Sequence, residues 1–523
     1  MRSSIALIAL IAVLTAGVAL SGAPSAPRPG VDWPQFRGIA AAGSAEGFSL
    51  PTTWNAANNT NIAWKTPIPG LGLSSPVVWG DDVFISTSIS GKADANLKVG
   101  LYGDIASVQD DTPHEWRVYA LDKKTGKIKW QQTATRGVPT IKRHTKSSHA
   151  NSTLATDGER IVAFFGSEGL YAFDMKGQPL WKKDLGVLDA GFYMVPGAQW
   201  ETGSSPVLHD GMVIVQADVQ KGSFLAMFDA KDGREVWRVP RGDVPTWSTP
   251  TIHRVNGQTQ ILVNGMRHVG AYDFKTGKEV WKLSGGGDIP VPTPVVSDGL
   301  VYITNAHGPQ SPVYAIRETA TGDITLKDPA VSNEGVVWTA PRSGGYMCTP
   351  LVYRGLVYIV RYNGVLNVFD AKTGEKKYEA RLAGATSAFT ASPVANDQGL
   401  HRQRGRPGVR ARRGADVSGR RAERDVDARP RDSGDLRRTA AAPHAGGADG
   451  DREVAAVPHR APTYKPIRYW RGLDGISWSV GRSSRSGSGT AMRELLRGGR
   501  GVRGTRTKES RLPSSRSAGR SGS

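Results

Sequence analysis

Two recurring motifs and the absence of helical periodicity predict an all-β fold, a β-propeller of four-stranded antiparallel blades. An aromatic-ended hairpin motif recurs five times, and a Ser-Pro or Thr-Pro motif recurs upstream of it. Residues 31–400 show no sustained 3.6-residue apolar period, so we expect little helix.

Each hairpin motif reads as an apolar strand, a turn that begins with Asp and ends with Gly, and a second strand that ends in an aromatic residue. The Asp side chain can accept backbone N–H groups within the turn, and Gly allows the positive φ that the turn needs. The hairpins span Tyr119–Trp130, Tyr171–Trp181, Phe228–Trp237, Tyr272–Trp281 and Val368–Tyr378. Their turn residues include Asp122, Asp229, Asp273, Asp370, Gly126, Gly233, Gly277 and Gly374.

The second motif supplies the first two strands of each unit. The predicted unit starts are Ser75, Asn151, Ser205, Thr249, Thr293, Thr349 and Ser392. They recur every 43 to 56 residues apart from one longer interval in the first unit, and four strands at this spacing are typical of a propeller blade. In the longer interval we expect loops over Ile89–Trp116 and Gln131–Ser148.

The segment Asn61–Pro67 resembles a fourth strand of a blade without its first three strands. We therefore expect its partners near the C-terminus, where a closing unit would complete an eight-bladed design. Before residue 400 the sequence accounts for six complete blades and part of a seventh.

The hairpin at Ala120–Trp130, with its related copies, resembles the tryptophan docking motif of the PQQ quinoprotein dehydrogenases and their noncatalytic relatives. The segment Trp33–Gly38 is similar to the entry segment of exported bacterial proteins of this repeat family. The resemblance covers about residues 31–400. It favours a packing role between blades for the repeat tryptophans Trp130, Trp181, Trp237 and Trp281, because large aromatic faces suit such an interface.

Family dehydrogenases bind PQQ against calcium, usually beneath a disulfide between adjacent cysteines, with an Asp as base. The single cysteine, Cys348, cannot form that disulfide. The carboxylates Asp189, Asp218 and Glu201 match no metal or base motif. We therefore predict no catalytic or metal site and assign no cofactor-binding residues. We expect no cofactor, with PQQ and calcium as the alternative.

The histidines are scattered without metal-ligand spacing, and satisfied polar residues are the expected interpretation. They are His114, His144, His149, His209, His253, His268 and His307. His144 and His149 flank a basic polar loop that could face a ligand. No nucleophile elbow, Walker loop or dinucleotide fingerprint is present in the sequence.

The N-terminus predicts export. Arg2 precedes an apolar run from Ile5 to Leu20 that ends in small residues, the layout of a signal peptide over residues 1–26. The run is short for a membrane span of about 20 residues, so we expect no stable span after cleavage. The predicted location is periplasmic or secreted.

Residues 401–523 are predicted to lie outside the propeller of residues 31–400. They hold 29 basic and 12 acidic residues, net +17, whereas the preceding residues hold 38 and 35, net +3. The tail has 27 Arg and 2 Lys, a bias typical of GC-rich DNA read in the wrong frame. A one-base shift from His401 can restore a segment that mirrors Gly166–Phe173. The alternative is a genuine disordered tail rich in Arg, Gly and Ser.

The function expected from these features is an exported scaffold that binds a ligand or an envelope or secreted protein, without catalysis. The alternatives are a PQQ-dependent oxidoreductase and an assembly factor for envelope proteins. Nucleic-acid binding is not expected, because it would rest on the charge of the tail alone and no recognition module is present.

Overall fold

The computed structural model describes residues 26–47, 51, 54–92, 107–307, 310–382, 389–396, 399–401 and 451–456. All of them belong to one compact unit, Met1–Ser477. The predicted signal peptide and most of the predicted tail lie outside the described residues. No helix in the described ranges is long and apolar enough to cross a membrane.

Six sheets follow one another along the chain, five with four strands and one with five, and each contains four antiparallel strands in sequential order. Blade 1 contains β2 (Val77–Trp79), β3 (Asp82–Ser90), β4 (His114–Asp122) and β5 (Ile128–Gly137). Blade 2 contains β6 (Ala155–Thr156), β7 (Arg160–Phe164), β8 (Leu170–Asp174) and β9 (Pro179–Lys183). Blade 3 follows a short hairpin, β10 (Gly191–Phe192) with β11 (Val195–Gln199), and contains β12 (Val207–His209), β13 (Met212–Ala217), β14 (Phe224–Asp229) and β15 (Glu235–Pro240).

The next three blades repeat this arrangement. Blade 4 contains β16 (Thr251–Val255), β17 (Gln258–Val263), β18 (Val269–Asp273) and β19 (Glu279–Leu283), to which β23 (Gly322–Asp323) adds in parallel. Blade 5 contains β20 (Val295–Ser297), β21 (Leu300–Thr304), β22 (Val313–Arg317) and β24 (Val336–Thr339). Blade 6 contains β25 (Leu351–Tyr353), β26 (Leu356–Val360), β27 (Val365–Asp370) and β28 (Lys376–Arg381).

Two strand pairs complete the described sheets. β29 (Val394–Asn396) pairs with β30 (Gly399–His401) as the start of a seventh unit. β1 (Trp64–Pro69) pairs antiparallel with β31 (Asp451–Ala456), from Trp64 opposite Ala456 to Pro69 opposite Asp451. The N-terminal strand therefore has a partner near the C-terminus, as its sequence predicts, and that partner lies inside the predicted tail.

The prediction of an all-β propeller with four-stranded antiparallel blades is confirmed, whereas the count of eight blades stays a prediction. The only helices in the described ranges are two 3-10 turns, Ile39–Ala41 and Gly166–Glu168. The prediction of loops in the first unit is partly wrong, because β4 begins at His114 and β5 continues through Gly137. The two strands pair along this extension, from His114 opposite Gly137.

The hydrophobic core lies between neighbouring blades. The cluster between blades 2 and 3, for example, joins Val162 and Phe164 of β7 to Val213 and Val215 of β13. Burial of such side chains contributes about 1.5–3 kcal/mol each. Each blade is therefore stabilised mainly by its two neighbours.

The repeat tryptophans join each blade to the next, which supports the packing role expected for them. Trp181 Nε1 donates to Ala230 O at 2.9 Å, and a Cβ at Gly233 would lie 2.7 Å from the Trp181 ring. Gly233 has a φ of 72°, so the turn needs glycine for both space and conformation. Equivalent bonds are donated by Trp64, Trp130, Trp237 and Trp338. Trp338 was not part of the sequence motif, because an insertion separates it from its turn.

The Ser-Pro and Thr-Pro motifs have a related role on the inner side of the blades. The backbone N–H of one motif donates to the hydroxyl of the next, as from Ser205 to Thr249 at 3.0 Å. The same bond runs from Ser75 to Thr153, Thr153 to Ser205, Thr293 to Thr349, and Thr349 to Ser392. Thr153, rather than the predicted Asn151, is thus the equivalent position in blade 2.

Candidate functional site

The antiparallel strand order gives the blades two different ends. Turns from first to second and from third to fourth strands lie at one end, called here the turn end, and include the Asp-Gly hairpins. The longer connections from second to third strands and between blades lie at the other end, the loop end. The candidate residues at the loop end are His114, His144, His149, His268, His307, Asp189, Asp218 and Glu201.

At the loop end the structure brings together His114, His149, Glu168 and Glu201, called here the loop-end cluster. His149 Nδ1 lies 3.7 Å from Glu201 Oε1. The His114 and His149 rings meet edge to face with centroids 5.1 Å apart. Trp116 Nε1 donates to His149 O at 2.9 Å, which holds this loop against β4. The sequence separates these residues widely, so their grouping had no sequence signal.

Most of the loop-end cluster is closed off from solvent, whereas Glu168 is only half-buried. Glu201 is 2% exposed and His149 is 4% exposed. Within the described residues, His149 Nδ1, Glu168 Oε2 and Glu201 Oε2 are buried without a hydrogen-bond partner. Burial of a charged atom without a hydrogen-bond partner costs free energy, so the neutral forms of these groups are favoured.

Burial dominates the protonation of this cluster. It raises the pKa of Glu201 well above its ordinary value, with the charge of Asp189 acting in the same direction. It also raises the pKa of Glu168 to about 7, helped by Glu201. Burial lowers the pKa of His149 to about 4. At neutral pH the structure therefore favours a neutral Glu201 and a neutral His149, which can hold protons but cannot reach a substrate.

The two histidines that flank the basic loop are both buried. The His144 ring stacks on Trp200 with centroids 4.0 Å apart and an interplanar angle of 10°. His149 belongs to the loop-end cluster. These two imidazoles therefore pack against the protein instead of facing a ligand in solution.

A second buried polar group joins the loops of blades 3 and 4. Arg241 Nε donates to Asp218 Oδ1 at 2.7 Å, and Arg241 Nη2 lies 3.4 Å from Asp243 Oδ2. Arg241 Nη1 also donates to the Tyr272 hydroxyl at 3.1 Å. Both carboxylates have their counter-charge, so Asp218 has a structural role in this network.

Asp189 has a different local role. Its Oδ1 accepts hydrogen bonds from Gly191 N at 3.0 Å and from Gln199 Nε2 at 2.8 Å. These bonds close the base of the β10–β11 hairpin. The three carboxylates noted in the sequence therefore do not form one site, although the charge of Asp189 acts on Glu201.

A bound metal ion needs several ligand side chains close together. Over these ranges no group of three or more His, Cys, Asp or Glu residues is arranged to hold a metal ion. Cys348 is a buried thiol. The absence of PQQ and calcium stays a prediction from the sequence.

Solved structures with a similar chain path include BamB from Moraxella catarrhalis, with 13% identity and a TM-score of 0.38 over 65% of this chain and 95% of that chain. A quinohemoprotein alcohol dehydrogenase from Comamonas testosteroni has 14% identity and a TM-score of 0.36 over 71% and 76%. A europium-containing methanol dehydrogenase has 13% identity and a TM-score of 0.38 over 70% and 88%. No curated protein matches the chain.

The sequence profile of the PQQ_2 family, described as outer membrane protein assembly factor BamB, matches residues 44–187, 114–335 and 330–464. The last match extends beyond the predicted boundary at residue 400. Together the three matches cover most of the chain and span the blades described above. The chain therefore belongs to this PQQ-like repeat family of β-propellers.

Proposed function

We propose that this chain is an exported scaffold, periplasmic or secreted, that binds an envelope protein through its loop end without catalysis of its own. The observation that carries the proposal is the apolar surface of the connection between blades 2 and 3. Val187 is 62% exposed and Met194 is 48% exposed on this connection. Exposed apolar side chains grouped on one loop are typical of a protein-binding surface.

Hydrogen bonds to its neighbours hold this loop in place. Gln220 Nε2 donates to Gly191 O at 2.7 Å, and Ser107 Oγ donates to Gly197 O at 3.0 Å. The bonds of Asp189 to Gly191 and Gln199 fix the base of the hairpin. A loop ordered before binding loses less entropy when a partner docks, which favours recognition by this surface.

Two further observations support a binding role over catalysis. The family profile is described as an outer membrane protein assembly factor, which favours a protein partner in the envelope. Glu201 and His149 of the loop-end cluster are enclosed, whereas a catalytic acid or base must reach its substrate within about 3 Å.

The test measures binding of a purified outer-membrane porin, kept unfolded in dilute urea, to the full chain. We expect the double variant Val187→Glu and Met194→Glu to weaken binding at least about ten-fold, because two charges replace the apolar contact. The control is Leu180→Glu, since Leu180 is also an exposed apolar residue but lies on β9, outside this loop.

Two outcomes contradict the proposal. Porin binding that is absent, or equal in the loop variant and in Leu180→Glu, removes the loop surface as the binding site. Dye-linked alcohol oxidation by the purified chain after addition of PQQ and calcium favours the oxidoreductase alternative instead.

A further inference from the structure

The N-terminal segment crosses the turn end from blade 1 to the seventh unit. Trp33 and Val78 of β2 exchange two backbone hydrogen bonds of 2.8 Å, and Thr156 N of β6 donates to Pro34 O at 2.8 Å. The segment then passes β16 and β20 at Ile39–Ala41. At its far end Ala45 N donates to Ala395 O of β29 at 3.0 Å. The segment therefore lies against the first strands of blades on opposite sides of the propeller.

Its backbone is strained where it passes between these strands. Arg37, Ala40 and Ala41 have positive φ values of 63°, 50° and 54°. Non-glycine residues rarely adopt this conformation, which costs about 1–3 kcal/mol each and persists only where the surroundings impose it. Backbone strain of this kind is found where the surrounding structure fixes a side chain in one position.

The group held here is the Arg37 guanidinium. Arg37 is 6% exposed, and its Nη2 donates to Pro393 O at 3.1 Å. Its Nε has no hydrogen-bond partner among the residues described. A Cβ at Gly43 would lie 1.9 Å from Nη2, so only glycine leaves room for the guanidinium at this point.

Arg37 forms no ion pair with a carboxylate within the described ranges, and the thiol of Cys348 is the one titratable side chain that acts on its pKa there. Burial lowers the pKa of Arg37 to about 10. The buried Arg241 is the opposite case, because Asp218 and Asp243 both lie within ion-pair distance. A buried guanidinium with unused N–H donors is costly unless an anion neutralises it.

We propose that Arg37 forms a binding site for a small oxyanion, a carboxylate or a phosphate group, enclosed by the first strands of blades 6 and 7. The planar guanidinium presents five N–H donors in a fork that matches two oxygens of such an anion. Pro393 O occupies one donor, which leaves Nε and Nη1 for the ligand. The site is independent of the loop-end surface proposed for protein binding.

The experiment follows thermal unfolding of the full chain in chloride, phosphate or acetate at constant ionic strength. We expect a saturable rise in Tm of about 3 °C at ten times the dissociation constant, because the anion binds only the folded state. The phosphate and acetate arms distinguish a phosphate ligand from a carboxylate ligand. Arg37→Gln removes the rise, and Arg37→Lys reduces it because the charge stays but the fork is lost.

The control is Arg234→Gln, which removes one positive charge at an exposed position of a turn-end hairpin. It should keep the full response to anions. Equilibrium dialysis of the wild-type chain with radiolabelled phosphate and with labelled acetate supplies a readout that does not require a folded variant, and we expect about one site per chain for one of them. No saturable response to either anion, or a response that Arg37→Gln retains, overturns the proposal.

Discussion

Glu168 shows how burial of a single carboxyl couples this fold to pH. Its Oε1 accepts from Thr140 N at 2.8 Å, and its Oε2 is buried without a partner among the described residues. The raised pKa, about 7, means that the folded protein retains a proton that the unfolded chain releases above about 4.5. The free energy of unfolding should therefore fall as pH rises through this window, by about 3 kcal/mol from this group.

We predict that Glu168→Gln removes this contribution, because Gln keeps the Oε1 acceptor and does not titrate. The measurement is the difference in unfolding free energy between variant and wild type at pH 5 and at pH 7.5 in urea. His149 has its pKa lowered to about 4 and opposes this slope at acid pH, but it is present in both proteins. Glu159→Gln, at a more exposed carboxylate paired with Arg160, is the control. An unchanged slope in Glu168→Gln would contradict the assignment.

The hydroxyl bonds between neighbouring Ser-Pro and Thr-Pro motifs offer a matched pair of substitutions. Thr249 Oγ1 accepts the backbone N–H of Ser205, whereas Thr293 Oγ1 is buried without a partner in the described ranges. We predict that Thr249→Val lowers the free energy of unfolding by about 1–3 kcal/mol, because it leaves a buried N–H unsatisfied. Thr293→Val loses no bond and should be neutral or stabilising. If urea unfolding gives the same loss of unfolding free energy for both variants, the hydroxyl bonds do not contribute to stability.

At the scale of the blade, the tryptophan contact combines packing with one hydrogen bond. Trp181 Nε1 donates to Ala230 O, but Trp281 Nε1 is buried without a partner among the residues described. In blade 5, Glu318 stands at the turn position that is Asp in the other blades. Its carboxylate pairs with His253 at 2.8 Å. The contact between blades 4 and 5 therefore keeps the packing of the tryptophan ring but lacks the hydrogen bond from its Nε1.

We predict that Trp181→Phe costs more stability than Trp281→Phe by about 1 kcal/mol, the net value of a typical buried hydrogen bond. Both substitutions remove part of an indole ring. Because Trp281 is fully buried and Trp181 is only half-buried, packing alone would make Trp281→Phe the costlier change, so a larger loss in Trp181→Phe reports the Nε1 bond. Calorimetric unfolding of the two variants at the same pH provides the measurement. A larger loss in Trp281→Phe would mean that packing alone decides the contact between blades.

Blade architecture could be predicted from the sequence because its signals repeat and are local. Asp122 and Gly126 specify a turn by their own backbone conformation, and Trp130 follows at a fixed distance. The loop-end cluster and the Asp218–Arg241 network could not be predicted, because each joins residues from separate loops without periodicity. The extension of β4 and β5 was missed for another reason, since many residues there are polar and pair as strands without an apolar alternation.

At the scale of the whole molecule, β1 links the N-terminal part of the chain to a segment near its C-terminus. Trp64 at its start donates through Nε1 to Lys123 O of blade 1 at 3.1 Å, so this strand already contacts the first blade. The backbone of β1 pairs with β31. An unpaired edge at this position would expose hydrogen-bonding groups to solvent and to other chains. The short segment Asp451–Ala456 is therefore expected to contribute to stability, despite lying in a region whose composition predicts no fold.

We predict that deletion of residues 457–523 leaves Tm unchanged, whereas deletion of residues 451–523 lowers it by about 3 °C or more, because only the second removes the partner of β1. In an antiparallel pair, alternate residues direct their N–H groups to the partner strand. Of the full-length variants Val454→Pro and Ala455→Pro, one should therefore lower Tm more than the other, since proline removes the donor. Differential scanning calorimetry of the four proteins tests both expectations. If both deletion proteins have the same Tm as the full chain, β31 does not stabilise the fold. The boundary predicted at residue 400 then describes the folded unit better.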